Sequence, residues 1–159
     1  MNIIYRSIGV VRSPFSTVEG MPIQPSRALD VEGVLEIEPE FQAGLKDLDG
    51  FSHVIAVCHL HQVSGSDLTV IPFLDKEPRG VFATRAPKRP NPIAVSVLRV
   101  KNVEGERIHV LDIDLLDGTP ILDVKPYVPE FDARVDALIG WYARASRKDE
   151  QVVSDGRFR

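Results

Sequence analysis

The sequence has a single cysteine and no long apolar run. Cys58, as the only thiol, excludes an intramolecular disulfide and a zinc site built from several thiolates, and its apolar neighbourhood predicts an inert core residue. No apolar stretch approaches the length that a membrane-spanning helix needs. The first residues, Met1 to Arg6, lack the basic-then-apolar pattern of a secretory signal peptide. We therefore expect a cytoplasmic protein.

Three patterns typical of nucleotide-binding and hydrolytic enzymes are also missing. The sequence has no glycine fingerprint for a Rossmann dinucleotide site, no glycine-rich phosphate loop and no order of Ser, His and Asp typical of nucleophilic catalysis. A nucleotide-like cofactor would therefore bind on another fold. The length of 159 residues suits one hydrophobic core. We expect one domain over residues 1–148 and a polar tail over residues 149–159.

The charge is small overall and unevenly distributed. A formal net charge of −4 argues against loose, non-specific binding to nucleic acid. The segment from Lys76 to Lys101 nevertheless holds seven basic residues and one acid, so it carries +6 and the remainder carries −10. This asymmetry predicts a local anion-binding face on an acidic protein. A solvated loop between two strands is the alternative that charge alone leaves open.

Short apolar runs and turn signals predict a chain made mainly of strands. The predicted strands cover residues 3–11, 31–37, 51–60, 68–72, 93–103, 107–116 and 121–125. The run over 51–60 is apolar at nearly every position, which predicts a strand buried on both faces. Glu104-Gly105-Glu106 predicts a hairpin turn.

Helical spacing is rare. Residues 41–48 predict a short helix, and only Asp132 to Lys148 shows sustained spacing, with Asp132 as the cap and Val135, Leu138, Ile139 and Tyr142 on one side. The predicted fold class is mainly β: a small single-domain, barrel-like curved sheet with a C-terminal helix.

The sequence has twelve prolines, and six of them lie in three loop-like clusters, at residues 21–25, 85–92 and 117–120. Proline stiffens a loop and lowers the entropic cost of holding a ligand. The second cluster places Arg85 and Arg89 four residues apart with Lys88 between them, and guanidinium forks suit phosphate or carboxylate oxygens. Asn91 adds an amide that can meet a base edge. A proline-fixed loop with surface arginines is the structural alternative.

Two other patterns contain residue types that bind metals, but neither contains a complete set of ligands. His59 and His61 share one side of a strand, but no third ligand is apparent, so ligand contact and a structural role both stay open. The acids from Asp112 to Asp117 do not follow the spacing of a calcium loop, and strands rather than helices flank them. We expect no metal.

Several of these segments resemble the signatures of one family, the TsaA-like (TrmO) tRNA methyltransferases. The matching runs lie in the family's order from about Ile8 to Asp132: Ile8-Gly9, Ser13-Pro14-Phe15, Pro22 with Gln24, Gly50-Phe51-Ser52-His53, Arg79 to Arg85, Arg89 to Ile93, Leu116 to Pro120, Asp123 and Lys125-Pro126-Tyr127. Two positions differ: Ile23 stands where arginine is frequent, and Ala94 where glycine is frequent.

The resemblance implies a methyltransferase that binds S-adenosylmethionine on a non-Rossmann β-barrel. It implies methylation of N6 of threonylcarbamoyladenosine, the modified base just 3′ of the anticodon of tRNA. It also implies a homodimer with the cofactor near the subunit interface. If that site is shared, a chain with Arg85→Ala and a chain disabled at Gln24 should together restore one working site.

The same resemblance implies the residues of the site. The expected cofactor-binding residues are Pro22, Ile23, Gln24, His61, Gln62, Arg85, Val95, Asp117, Gly118, Thr119 and Pro120. The expected RNA contacts are Lys88, Arg89, Asn91, Lys125 and Tyr127. Asp117 is the candidate catalytic residue, as a hydrogen-bond acceptor for the reacting N–H, with a purely structural turn as its alternative. A non-catalytic cofactor-sensing or RNA-binding module and a small-molecule methyltransferase remain rival functions.

Overall fold

The computed structural model describes residues 1–145, and its centre is a closed barrel of six strands. The barrel strands are β1 (Gly9–Arg12), β2 (Gly33–Ile37), β3 (His53–His59), β6 (Ile93–Glu104), β7 (Arg107–Leu111) and β8 (Pro120–Pro126). Their order is β1-β2-β7-β6-β3-β8, every pair is antiparallel, and β8 pairs back to β1. Closure leaves no unpaired barrel edge, and it confirms the predicted fold class.

The remaining elements are short. Strands β4 (Thr69–Val70) and β5 (Arg79–Gly80) form a separate two-stranded sheet. The α-helices are α1 (Pro129–Asp132) and α2 (Tyr142–Ala145), and 3₁₀ helices cover Pro25–Arg27, Pro39–Leu45, Leu48–Gly50 and Val81–Ala83. The helix expected over 41–48 is thus replaced by two 3₁₀ segments. The first begins at Pro39, whose fixed φ suits the start of a helix.

Alternating side chains fill the barrel. On β3, Val54, Ala56 and Cys58 are fully buried, whereas Ile55 and Val57 are only partly buried. The prediction that this strand is buried on both faces is therefore wrong. Its apolar run includes residues of the outer face, and these are only partly buried. The interior is completed by large aliphatic side chains from the other strands: Val11, Leu35, Ile37, Leu98, Ile108, Val110 and Ile121.

Turns and bulges shape the sheet as the sequence indicates. Strands β6 and β7 form the predicted hairpin, and Gly105, with φ of 59°, occupies the first turn position that a type II′ turn reserves for glycine. The register shifts between Val100 and Asn102 on β6, and again between Val57 and Cys58 on β3 where it meets β8. Such bulges increase local bending, which helps a six-stranded sheet to close.

The predicted helix from Asp132 to Lys148 is contradicted within the described residues. Helix α1 ends at Asp132, and the following residues are not helical until Tyr142; residues 146–148 lie outside the described range, as does the tail over 149–159. Val135 and Leu138 are 93% and 99% exposed, so these two residues of the apolar stripe have no partner surface among residues 1–145. Isolated helices of this length are marginal without such packing.

The first predicted strand is shorter than expected. Residues 3–7 are exposed and form no strand, and pairing begins at Gly9, where β1 meets both β2 and β8. In the part of the chain that the structure describes, no helix has the length and apolarity to span a membrane.

Candidate functional site

One end of the barrel carries a large groove. Because neighbouring strands are antiparallel, the carboxyl ends of β1, β3 and β7 and the amino ends of β6 and β8 lie together at this end. The loops that leave it enclose a cavity of about 1630 Å³. Its walls come from residues 16–18, 21–24, 26–27, 60–63, 72–74, 82–87, 89–91, 93–96, 114–116 and 119, with 139, 141 and 142 across one side. All three proline clusters contribute to these walls, as ligand-holding loops were expected to do.

Among the described lining residues of the groove, basic side chains outnumber acidic ones. Among its described lining residues the ionisable side chains are Arg27, Arg85, Arg89, His61, Tyr142 and a single carboxylate, Asp114. Met21, Val95 and Leu116 supply apolar wall, and Val95 is 56% exposed there. The groove therefore suits a ligand with an anionic group and an apolar or aromatic body.

Arg85 and Gln24 meet at one side of this groove. Nη1 of Arg85 donates a hydrogen bond to Oε1 of Gln24 at 3.0 Å, although 61 residues separate the two in sequence. Both were expected at the cofactor site, together with their neighbours Pro22 and Ile23, which also line the groove. Because Gln24 and Arg85 belong to one groove of one chain, complementation between lesions at these two positions is not expected.

Arg89 braces the loop that presents Arg85. Its Nη1 donates to the carbonyl oxygens of Thr84 and Ala86, at 3.2 and 3.3 Å. The hydroxyl of Thr84 also accepts a hydrogen bond from the backbone N–H of Ala86 at 3.2 Å. Arg89 is thus part of the loop's internal structure as well as of the groove wall, and its expected contact with RNA stays a prediction.

The turn that holds Asp117 is fastened to the end of β1. The carboxylate of Asp117 accepts a hydrogen bond from the backbone N–H of Ser13 at 3.1 Å, and its own N–H donates to the carbonyl of Phe15 at 2.8 Å. Gly118 adopts φ of 77°, and its N–H donates to the carbonyl of Val11. Of the four expected residues in this turn, only Thr119 lines the groove, and it is buried. The structural alternative for Asp117 therefore accounts for its contacts.

A carboxylate that the expected site omitted faces the groove instead. Oδ1 of Asp114 accepts a hydrogen bond from the hydroxyl of Ser96 on β6 at 2.7 Å. Burial raises the pKa of Asp114 to about 6, although Ser96 and the charge of Arg85 act in the opposite direction. Burial and the nearby Asp114 raise the pKa of Cys58 to about 12, so this thiol stays protonated, in keeping with an inert core residue.

The chain crosses the groove again near its described end. Nε1 of Trp141 donates to the carbonyl of Ala83 at 2.7 Å. The guanidinium of Arg79 lies 5.7 Å from the centroid of the Trp141 ring and pairs with Asp75 at 2.7 Å. This anchor brings Ile139, Trp141 and Tyr142 to the groove wall. No local pattern in the sequence indicated this long-range contact.

The basic segment does not form one uninterrupted face. Arg99 pairs with Asp112 and Asp30, Lys101 pairs with Glu32, and Arg79 pairs with Asp75. The basic side chains of the segment that have no acidic partner among residues 1–145 are Lys76, Arg85, Lys88 and Arg89. The remaining positive charge is thus concentrated around the rigid loop, where an anion-binding face was expected.

The other expected RNA contacts do not lie together. Asn91 lines the groove, whereas Lys88, Lys125 and Tyr127 do not. Nζ of Lys125 pairs with Asp123 at 2.6 Å, and the ring of Tyr127 lies 6.1 Å from that of His53. Lys88 has no acidic partner among residues 1–145 and lies beside the groove, whereas Lys125 and Tyr127 lie at the end of β8 away from the groove.

The two histidines separate in the structure. Strand β3 ends at His59, and the chain then turns, so His61 and Gln62 line the groove and His59 does not. Within residues 1–145, no three His, Cys, Asp or Glu side chains are grouped as metal ligands.

Asp114 and Ser96 are the main site residues that sequence reasoning missed. The available signal was an acid inside an apolar run, because Asp114 stands between Ile113 and Leu115, which are both buried. When these acids are considered only as calcium ligands, nothing distinguishes Asp114 from the others.

Comparison with known proteins shows the family of the chain. The family profile of the tRNA-methyltransferase O N-terminal domain matches residues 10–133. A probable S-adenosyl-L-methionine-binding protein of Pyrococcus abyssi is 50% identical over 98% of this chain and 85% of its own. The tRNA (adenine(37)-N6)-methyltransferase of Escherichia coli is 38% identical over 94% of this chain and 68% of its own.

A solved structure shares the fold. The crystal structure of TrmO from Pseudomonas aeruginosa superimposes with a TM-score of 0.75 at 41% identity, over 89% of this chain and 63% of that one. The matched residues 10–133 contain all of the barrel except Gly9, and they include the loops that carry Gln24, Arg85 and Asp114. This chain therefore belongs to the tRNA-methyltransferase O family, through that family's N-terminal domain.

Proposed function

We propose that this protein transfers a methyl group from S-adenosylmethionine to N6 of an adenine in tRNA. The observation that carries the proposal is the groove at the loop end of the barrel, where Gln24, Arg85 and Asp114 converge in a chain of the tRNA-methyltransferase O family. Relatives that bear a name for binding this cofactor or for this activity match 98% and 94% of the chain.

The side chains of the groove fit the cofactor. Arg85 has only Gln24 as a side-chain hydrogen-bond partner among the described residues, so most of its N–H donors are available to the carboxylate of the cofactor. The apolar wall formed by Met21, Val95 and Leu116 suits its adenosine. When bound, the cofactor supplies an electrophilic methyl on its sulfonium. The protein must hold the acceptor nitrogen in line with that methyl and exclude water.

The RNA face is proposed around the proline-stiffened loop over 85–92. Lys88 and Arg89 lack acidic partners within residues 1–145, which leaves their charge available to phosphates. Asn91 can meet a base edge from the groove wall. The threonylcarbamoylated adenosine next to the anticodon is the proposed substrate, on the family resemblance. The proposed location is the cytoplasm, where tRNA is modified, and the proposed domain covers residues 1–148.

We further propose that the protein forms a homodimer. The segment after α1 exposes Val135, Leu138 and Ile139, and an apolar strip of this kind is typically covered by a partner. Ile139 also lines the groove, so burial of this segment against a second copy would place the site near the interface. Sedimentation at working concentration tests this, and a monomeric mass would contradict it.

Binding of the cofactor is the first prediction. The protein should bind S-adenosylmethionine in calorimetry, and Arg85→Ala should weaken that binding about tenfold or more, because a charge-assisted hydrogen bond to the carboxylate is lost. Arg107→Ala is the matched control, since Arg107 lies on the barrel wall, is exposed and pairs with Glu36. Equal affinity in wild type and Arg85→Ala would exclude the proposed placement of the cofactor. Tight binding without methyl transfer would instead favour a cofactor-sensing module.

A further inference from the structure

The groove contains one carboxylate, that of Asp114, among its described lining residues. Its other ionisable side chains are three arginines, a histidine and a tyrosine: Arg27, Arg85, Arg89, His61 and Tyr142. An exocyclic adenine nitrogen is a weak nucleophile because its lone pair is delocalised. Its reaction with a methyl group needs an acceptor for the proton that this nitrogen loses.

The fold fixes Asp114 in place. After β7 the chain turns at Asp112, whose φ of 68° is left-handed, and the flanking Ile113 and Leu115 are buried in the core. Asp114 lies between them and lines the groove, where the buried Ser96 donates to its Oδ1 at 2.7 Å. No other side chain among residues 1–145 donates to this carboxylate, and its remaining donor is the backbone N–H of Asp114 itself. A carboxylate has about four acceptor positions, so acceptor capacity is left for a bound molecule.

The surroundings of Asp114 suit proton transfer near neutral pH. Burial raises its pKa to about 6, and the hydrogen bond from Ser96 and the charge of Arg85 keep it from rising further. The other titratable group that faces it is Cys58 on β3, which remains a neutral thiol because its own pKa is raised to about 12. A carboxylate with these neighbours is ionised at pH 7 and still a stronger base than an exposed aspartate.

We propose that Asp114 is the catalytic proton acceptor of the methyl transfer, and this rests on the function proposed above. As the acceptor nitrogen bonds to the methyl carbon, the carbon–sulfur bond breaks and its electron pair stays on sulfur, so that the sulfonium becomes a neutral thioether. The proton of the acceptor nitrogen passes to the carboxylate of Asp114. The carboxylic acid formed then releases that proton to water.

A different role for the same carboxylate would be to attract the positive sulfonium. The two roles differ in what they do to affinity. A partner of the sulfonium strengthens binding of S-adenosylmethionine over its neutral demethylated product, whereas a proton acceptor affects the rate and leaves both affinities alone.

The decisive variant is Asp114→Asn, which keeps the shape and the acceptor for Ser96 but cannot take a proton. We expect its single-turnover rate of methyl transfer to tRNA to fall about 100-fold or more, as loss of a general base does. Its affinity for S-adenosylmethionine, for the demethylated product and for tRNA should equal that of wild type. Glu32→Gln is the matched control, because Glu32 pairs with Lys101 outside the groove and should keep the wild-type rate.

The pH dependence of the wild-type rate gives a second test, and this rate measurement needs no variant at position 114. The wild-type rate should fall as the pH drops through about 6, because the protonated carboxylic acid cannot accept a proton. Ser96→Ala removes a hydrogen bond that lowers the pKa of Asp114, so it should move this fall to higher pH. In cofactor-free protein labelled with ¹³C at the aspartate carboxyls, one resonance should titrate near pH 6, shift in Ser96→Ala and be missing in Asp114→Asn.

The outcomes separate the two proposals. A wild-type rate in Asp114→Asn, or a pH profile that Ser96→Ala leaves unchanged, would overturn the role of Asp114. Selective loss of affinity for S-adenosylmethionine in Asp114→Asn would overturn it in favour of an electrostatic contact with the sulfonium. A wild-type protein that transfers no methyl to tRNA would count against the proposed function itself, whereas the NMR titration tests the basicity of Asp114 without any turnover.

Discussion

At the scale of single residues, the most heavily engaged ionic group is the pair of Arg99 and Asp112 on the barrel wall. Nε and Nη2 of Arg99 donate to the two carboxylate oxygens of Asp112, at 2.5 and 2.7 Å, and Nη2 also reaches Asp30 at 2.6 Å. The hydrogen bonds from Arg99 are the largest cause that lowers the pKa of Asp112. Both aspartates have left-handed φ, and the N–H of Asp30 donates to Asp112, so the cluster fixes two turns beside the barrel.

This cluster predicts that stability depends on Asp112. Asp112→Asn should lower the free energy of unfolding at pH 7 by about 1 kcal/mol, a value that allows for the partial exposure of Arg99. Asparagine tolerates the left-handed backbone, so the change isolates the charge. Because the folded pKa of Asp112 is lowered, its stabilisation is complete above the ordinary aspartate pKa and is lost as the pH falls through the folded value. Urea unfolding at several pH values measures this.

Asp30→Asn is the control for that experiment. Asp30 shares the Arg99 partner and the left-handed backbone, but its side chain is 80% exposed. Its loss should therefore have the smaller effect, since solvent screens the pair. A larger effect at Asp30, or an advantage of wild type over Asp112→Asn that grows towards acid pH, would contradict this account.

At the scale of elements, β1 and β2 approach each other so closely at Gly9 that no Cβ atom fits between them. A Cβ atom on Gly9 would lie 2.3 Å from the carbonyl oxygen of Glu36 and 2.9 Å from Cα of Ile37. These are backbone atoms of the paired strand, so the strands would have to separate. Gly9 also pairs with Ile121 of β8, which places it where the barrel closes.

Gly9→Ala should therefore destabilise the barrel by about 2 kcal/mol or more, because overpacking against backbone cannot be relieved by a side-chain rotation. The midpoint of urea unfolding measures the change. Gly44→Ala is the matched control: an added Cβ meets no heavy atom within 4 Å and the backbone is not left-handed. That substitution should be neutral or slightly stabilising. If Gly9→Ala unfolds at the same midpoint as wild type, the approach of the two strands is looser than described.

The elements also show which parts of the fold the sequence predicts. Alternation and turn residues are local signals, so the β6–β7 hairpin and the strands near 33–37, 53–59 and 120–126 are predicted within a few residues. Barrel closure follows from their number and type. The C-terminal helix is not formed as expected, because helical spacing indicates an apolar stripe but cannot show whether a surface exists to cover it.

The site residues, like the fold, are predicted from the sequence only where the signal is local. Proline clusters and paired arginines are visible in the sequence, and their loops do form the groove. Contacts between distant residues are not visible, because no local pattern encodes the meeting of Asp114 with Ser96 or of Trp141 with Ala83. The sequence motif predicts Asp117 as the catalytic residue. The carboxylate that lines the groove is instead that of Asp114, three residues earlier.

At the scale of the whole molecule, the groove lies at one end of the barrel and several ion pairs lie on its wall. One end gathers the loops that line the groove, and ion pairs on the barrel wall neutralise the basic side chains of Arg99 and Lys101. An acidic protein thereby keeps a small positive face around Arg85, Lys88 and Arg89. This distribution suits a tRNA substrate, whose phosphates would be repelled elsewhere on the surface.

Transfer of a labelled methyl group to tRNA tests the central claim most directly. The purified protein is incubated with methyl-labelled S-adenosylmethionine and bulk tRNA, and the RNA is digested to nucleosides for mass analysis. The account predicts label on N6 of an adenosine derivative with wild type, and a loss of that label with Arg85→Ala and with Asp114→Asn. Absence of label from tRNA, in a preparation that binds the cofactor in calorimetry, would contradict it.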